Sequence, residues 1–150
     1  MKSRDEIVRL VKAAIEPNLE GLEYLSYFSL EDLAKGYNGI GPEFLPSDIR
    51  DRITRYLSLF EPAALIHDMR TDKSDGSRER FLAANDEFRR NCLKLANRAY
   101  PWHSWKRYRA RAAAEVLFDF VSADNFGWKA WQDAARKNLQ TNQPQRKETP

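Results

Sequence analysis

His67 and Asp68 stand side by side in the apolar stretch Ala63-Ala64-Leu65-Ile66-His67-Asp68-Met69-Arg70, and they are the residues of this chain best suited to chemistry. Successive helical residues diverge by about 100°, so the imidazole and the carboxylate cannot form a simple relay. That divergence suits a divided task, with His67 facing a pocket as general base and Asp68 reaching a metal ion or a substrate group beside it. For a hard cation such as Ca²⁺, Asp68 offers one or two oxygens, and backbone carbonyls of the glycine-rich stretch at Gly39 and Gly41 can add more. The same stretch also reads as a plain turn between helices, because glycine and proline are the usual punctuation. A base needs an orienting partner on its other ring nitrogen. Asn85 completes an otherwise apolar helical stripe and fits that part, or that of a core amide satisfied by a backbone carbonyl.

The elements that must carry these groups follow from pattern. Ser3 and Glu6 have capping-box spacing, and Ile7, Leu10, Val11, Ala14 and Ile15 follow as one buried face, closed by Pro17. Leu19 to Phe28 fits either a short helix or an extended segment, since neither period is clean. Ser29 caps a short helix that stops at Gly36. Two glycines and two prolines between Tyr37 and Pro46 predict a shaped loop. Ser47 and Asp48 start a helix whose stripe is Ile49, Ile53, Tyr56, Leu57 and Phe60. Pro62, suited to a first helical turn, is expected to open the next helix, the one bearing His67.

Thr71 to Ser77 reads as a surface loop. The following long helix has the stripe Phe81, Asn85, Phe88, Cys92, Leu95 and Ala99. After Pro101, Ser104 to Val121 forms another helix with Tyr108, Ala112, Val116 and Phe120 on one side. Phe126, Trp128 and Trp131 mark a last helix beginning near Asn125. The expectation is all-α: two long packed helices carrying His67 and Asn85, with additional N- and C-terminal helices, in one domain over residues 1–137. A flexible polar tail is expected over 138–150.

Composition narrows the function classes. A chain of 150 residues, 42% hydrophobic and 12% aromatic, can bury a core without cross-links. Cys92 is the lone cysteine, which excludes an internal disulfide and points to a reducing interior. No stretch approaches the roughly 18 apolar residues of a membrane span, and the N-terminus lacks the apolar run of a signal peptide. A net charge of +3, from 25 basic and 22 acidic residues, is weak for a dedicated nucleic-acid binder. The basic run Lys106, Arg107, Arg109 and Arg111 among Trp102, Trp105 and Tyr108 is nonetheless able to meet phosphates of a nucleic acid or of an anionic lipid surface. His103 is a second titratable group, and Asp72, Asp75 and Gly76 lack the spacing of an EF-hand and read as a solvated turn.

Taken in order, Tyr37-x-Gly39-x-Gly41-Pro42, Ala63-Ala64-x-x-His67-Asp68 and Ala84-Asn85-x-x-Phe88 resemble the phospholipase A2 superfamily. The closer likeness is to its disulfide-free branch in parvovirus capsids, and to a phage and prophage family ending in the helix seen here as Phe126-Gly127-Trp128-Lys129-Ala130-Trp131. The resemblance spans residues 37 to 131. It implies a Ca²⁺-dependent hydrolysis of a lipid acyl ester in which His67 activates water. Asp68 and carbonyls at Tyr37, Gly39 and Gly41 would hold the metal. It further implies a bacterial host cytoplasm or a virion as the setting, and a phospholipid surface or a phage structural protein as partner. The alternative is a catalytically degenerate relative that serves as a virion or assembly component and binds protein or nucleic acid. Two positions depart from the family pattern: Thr71 replaces a tyrosine, and Asn85 replaces the aspartate that usually orients the histidine. The spacing from Gly41 to His67 is also longer than in the family.

Overall fold

The structure is a computed structural model that describes residues 2–37 and 56–142. Among the described residues it is all-α, with no strand. Helix α1 spans Arg4–Ile15, a 3₁₀ segment Leu22–Tyr27, α2 Leu30–Gly36, α3 Leu57–Asp72, α4 Arg78–Ala99 and α5 Trp105–Ser122. A π-helical turn at Asp124–Trp128 then leads into α6, Lys129–Thr141.

Local chemistry starts most of these helices. Ser3 Oγ accepts from the Glu6 amide at 3.2 Å while Glu6 Oε2 accepts from the Ser3 amide at 2.7 Å. Ser29 and Asp32 repeat this box before α2. Ser77 and Ser104 cap α4 and α5 through their hydroxyls. Each such cap satisfies an orphan amide and stabilises its helix by about 1 kcal/mol. The stretch left open between Leu19 and Phe28 is a 3₁₀ segment entered through Gly21, whose φ of 82° is left-handed.

Three expectations are corrected. Pro62 does not open a helix: α3 starts at Leu57 and carries the proline inside. A proline there forgoes the hydrogen bond to the carbonyl of Ser58, but Phe60, Ala63, Ala64, Leu65 and Ile66 are all buried around it, and that apolar burial holds the helix through the break. The helix also runs on through Thr71 and Asp72, which were expected in a loop. At the other end, α6 continues to Thr141, past residue 137 where the tail was expected to begin. Asn138 Nδ2 donates to the carbonyls of Asp72 and Ser74 at 2.8 and 3.1 Å, which ties this turn to the α3–α4 connection. The expected loop over residues 38–46, and the helix start at Ser47 and Asp48 with Ile49 and Ile53, lie outside the described residues.

The frame of the molecule is α3 packed on α4 and α4 packed on α5. Five residues join α3 to α4, a length that makes them antiparallel neighbours. The main core joins Ile7 and Ala14 of α1, Leu33 of α2, Phe60, Ala63, Ala64, Leu65 and Ile66 of α3, Phe88, Cys92 and Ala96 of α4, and Ala110, Ala114 and Leu117 of α5. Alanines at Ala63, Ala64, Ala110 and Ala114 let the backbones approach closely. Cys92 is fully buried, its thiol pushed well above the ordinary range by desolvation, so it acts as a small hydrophobe. A second cluster joins Phe81 and Ala84 of α4 to Trp131 of α6, with Trp128 against it.

Candidate active site around His67

Packing sets where His67 points. Its neighbours Leu65, Ile66 and Met69 are buried in the main core, and the imidazole faces α4 with its side chain 13% exposed. There His67 Nε2 meets Asn85 Oδ1 at 2.9 Å. Asn85 is itself 1% exposed, held on the stripe between Phe81 and Phe88. The Phe88 ring packs on the imidazole, with centroids 4.9 Å apart and planes at 46°. An amide oxygen only accepts, so this contact places the ring proton on Nε2 and leaves the Nδ1 lone pair available.

Nδ1 lies on the side of Asp68, 4.0 Å from Oδ1. The separation is too long for a hydrogen bond and agrees with a division of roles rather than a relay. Thr71 donates its hydroxyl to the His67 carbonyl at 2.9 Å and so serves its own helix. Asn85 Nδ2 is buried with no hydrogen-bond partner among the described residues.

Asp68 has a carboxyl held above the usual carboxylate range, chiefly by desolvation, with the nearby His67 imidazole opposing. Among the described residues it meets no lysine or arginine. A folded-state pKa above the unfolded one means that the stabilising protonated form is fully present below about pH 4 and lost as the pH rises through the folded pKa. Asp68→Asn is therefore expected to raise the melting temperature at pH 7 and to leave it unchanged at pH 3. Paired thermal melts at the two pH values check this. The side chain is 38% exposed, so solvent screening keeps the gain small.

Tyr37 ends α2 and is fully buried, its hydroxyl donating to the Glu61 carbonyl on α3 at 3.4 Å. Burial, with the charges of Glu61 and Asp68 adding to it, pushes its phenol far up, so Tyr37 stays neutral near Asp68. The chain therefore leaves Tyr37 toward Gly39 and Gly41 from a point anchored beside α3. Gly39 and Gly41 themselves lie outside the described residues. No group of three or more His, Cys, Asp or Glu side chains able to hold a metal occurs among the described residues. A cation here fits only a mixed set, with the poorly compensated Asp68 carboxylate as its charged ligand and backbone carbonyls as the remainder.

Several positioning groups escape sequence reasoning. Arg70, one turn beyond His67, forms an ion pair with Glu87 on α4, both mostly buried, and its guanidinium lies 5.1 Å from the Tyr24 ring centroid. Asn91 clasps the backbone of Glu20, accepting from its amide at 2.8 Å and donating to its carbonyl at 2.9 Å. Gly21 lies beneath these contacts, where a Cβ would overlap the Glu87 carboxylate and come within 2.8 Å of Ile66 Cγ2. These pairings join residues far apart in sequence and leave no periodic trace. His103 is exposed, edge-on to Trp102 and remote in sequence from this site.

Comparison with protein-family models, with curated proteins and with solved structures finds no match to this chain.

Proposed function

We propose that this chain is a phospholipase A2-like hydrolase of phage type, cleaving a lipid acyl ester with His67 as the base that activates water. The observation that carries this reading is the 2.9 Å contact from His67 Nε2 to the buried Asn85 Oδ1, which leaves Nδ1 as the basic atom on the Asp68 side. In this reading His67 Nδ1 takes a proton from water as its oxygen attacks the ester carbonyl carbon. The imidazolium then returns that proton to the departing alcohol oxygen as the acyl–oxygen bond breaks. Phe88 and Asn85 hold the ring plane through both transfers.

Asp68 would hold Ca²⁺ together with backbone carbonyls at Tyr37, Gly39 and Gly41. When bound, the ion supplies Lewis-acid polarisation of the ester carbonyl. The Asp68 carboxyl supports such a role, since desolvation without a basic partner leaves it better satisfied by a cation than alone.

The test is fatty-acid release from mixed phospholipid vesicles in millimolar Ca²⁺, with His67→Ala as the comparison. Release by the wild type that the variant lacks supports the reading, and no release by the wild type ends it. The second reading, a non-catalytic phage assembly component, is favoured by one observation: Asn85 brings no charge to stabilise an imidazolium. It predicts a wild type as inactive as the variant.

A further inference from the structure

The start of α5 differs electrostatically from the starts of α1, α2 and α4. First turns of α1, α2 and α4 carry acids, Asp5 and Glu6, Glu31 and Asp32, and Glu79, which suit the positive end of the helix dipole. The first turn of α5 has none, and over its first two turns the sequence Trp105-Lys106-Arg107-Tyr108-Arg109-Ala110-Arg111 places four cations. Several arginines elsewhere meet carboxylates, as Arg89 does Glu115, Arg90 does Glu20 and Arg98 does Glu16. Among the described residues, Lys106 and Arg109 meet none. Arg107 and Arg111 both donate to the neutral Asn97 Oδ1 at 2.9 Å, which orders them without cancelling their charge.

Large rings share this surface. Trp102 is 83% exposed, Trp105 70% and Tyr108 63%. A groove of about 430 Å³ opens beside them, walled by Tyr56, Tyr100 and Trp105 with Lys106 and Arg109 at its edge. Three amphipathic rings left in water cost apolar hydration that nothing in the fold requires, since Ala110, Ala113, Ala114 and Leu117 already seat α5 on the core.

We propose that the exposed rings of Trp102, Trp105 and Tyr108, with the cations of the first two turns of α5, form a docking surface for an anionic lipid bilayer. Tryptophan and tyrosine settle at headgroup depth, apolar body inward and polar edge in water, while nearby lysine and arginine meet lipid phosphates. A bilayer fits better than a nucleic acid. Trp105 and Tyr108 stack on each other, centroids 5.1 Å apart and planes at 22°, which takes up one face of each ring that a base would otherwise use. The net charge of +3 is also small for a phosphate-backbone binder. The surface does not rest on the hydrolytic reading, because His67 lies roughly 16 Å along α3 from Tyr56 in the groove.

Flotation of the full chain with vesicles of ether-linked, non-hydrolysable lipids, without calcium, tests this. Phosphatidylcholine vesicles containing phosphatidylglycerol are expected to carry the protein and shift its tryptophan emission to the blue, and pure phosphatidylcholine is not. Each membrane-apposed cation contributes about 1 kcal/mol, so Lys106→Gln with Arg109→Gln is expected to weaken partitioning about thirty-fold. Trp102→Ala with Trp105→Ala is expected to abolish the emission shift, with melting temperatures as in the wild type. Equal partitioning onto neutral vesicles, unchanged partitioning of either double variant, or retention on single-stranded DNA without vesicle binding would overturn the proposal. Hydrolysis of dispersed short-chain lipid is scored separately, so the loss of either property leaves the other measurable.

Discussion

Replacing Gly127 by alanine is expected to lower the melting temperature by roughly 10 °C, the equivalent of about 3 kcal/mol for a chain of this size. The π turn widens the backbone so that the Trp128 and Phe126 amides both reach the Ala123 carbonyl, at 3.2 Å each, folding the chain back over the last turn of α5. This return brings Gly127 against the Val121 backbone. An added Cβ would overlap the Val121 carbonyl oxygen and lie 2.6 Å from its carbon. Backbone cannot move aside as a side-chain tip can, so the turn must open.

The rings on either side of the turn would then lose their seats. Phe126 packs on Phe120, and Trp128 and Trp131 meet Phe81 edge-on at 5.1 and 5.9 Å. Arg78 covers the outer side, 4.7 Å from the Trp128 ring and 3.0 Å from Asp124. Phe81 lies one turn before Asn85, so undocking α6 also loosens the part of α4 that presents the amide to His67. Differential scanning calorimetry with tryptophan emission checks both consequences: an early transition and a red-shifted Trp131. A melting temperature unchanged in Gly127→Ala would show that the π geometry is not what this glycine serves.

The sequence showed the site's parts more clearly than it showed what holds them. The stripe Phe81, Asn85, Phe88, Cys92, Leu95 is a local period, and one helix suffices to put an amide on a core face. Capping boxes at Ser3 and Ser29 were legible for the same reason, since their partners lie three residues away. Pro62 misled because its local cost is real and is outweighed only by burial among residues from other helices. Asn138 looked like tail because its acceptors, Asp72 and Ser74, lie far back in the chain. The Arg70–Glu87 pair and the Asn91 clasp are likewise non-local, and no spacing rule announces them. Gly127 stood in a visible motif, but the reason for a glycine there is the nearness of Val121, which only the folded backbone supplies.

The largest kinetic effects are expected at His67 and Asn85. His67→Gln is expected to leave no release above the uncatalysed blank, since the amide side chain has no basic nitrogen. Asn85→Asp is expected to raise turnover on the order of 10²-fold, the reverse of the loss that follows when a triad carboxylate becomes an amide. Two physical changes act together. A carboxylate only accepts hydrogen bonds, whereas an amide turned end for end offers Nδ2 to the ring and draws the proton onto Nδ1, where it blocks the base. The carboxylate also adds a negative charge beside the imidazolium that forms during attack. That charge raises the histidine pKa, so the acid limb of the kcat/KM profile should move to higher pH in Asn85→Asp.

The substitution also removes the buried Nδ2 that has no partner among the described residues, which offsets part of the cost of a buried charge. Asn85→Leu, close in volume but unable to bond, should lose turnover by a similar factor with the acid limb unmoved. A merely structural amide would give a different pattern, with both variants shifted in stability and neither in the pH profile. Should Asn85→Asp change neither rate nor limb while His67→Gln stays inactive, His67 would be the base without Asn85 as its orienter. The 2.9 Å contact would then belong to packing alone.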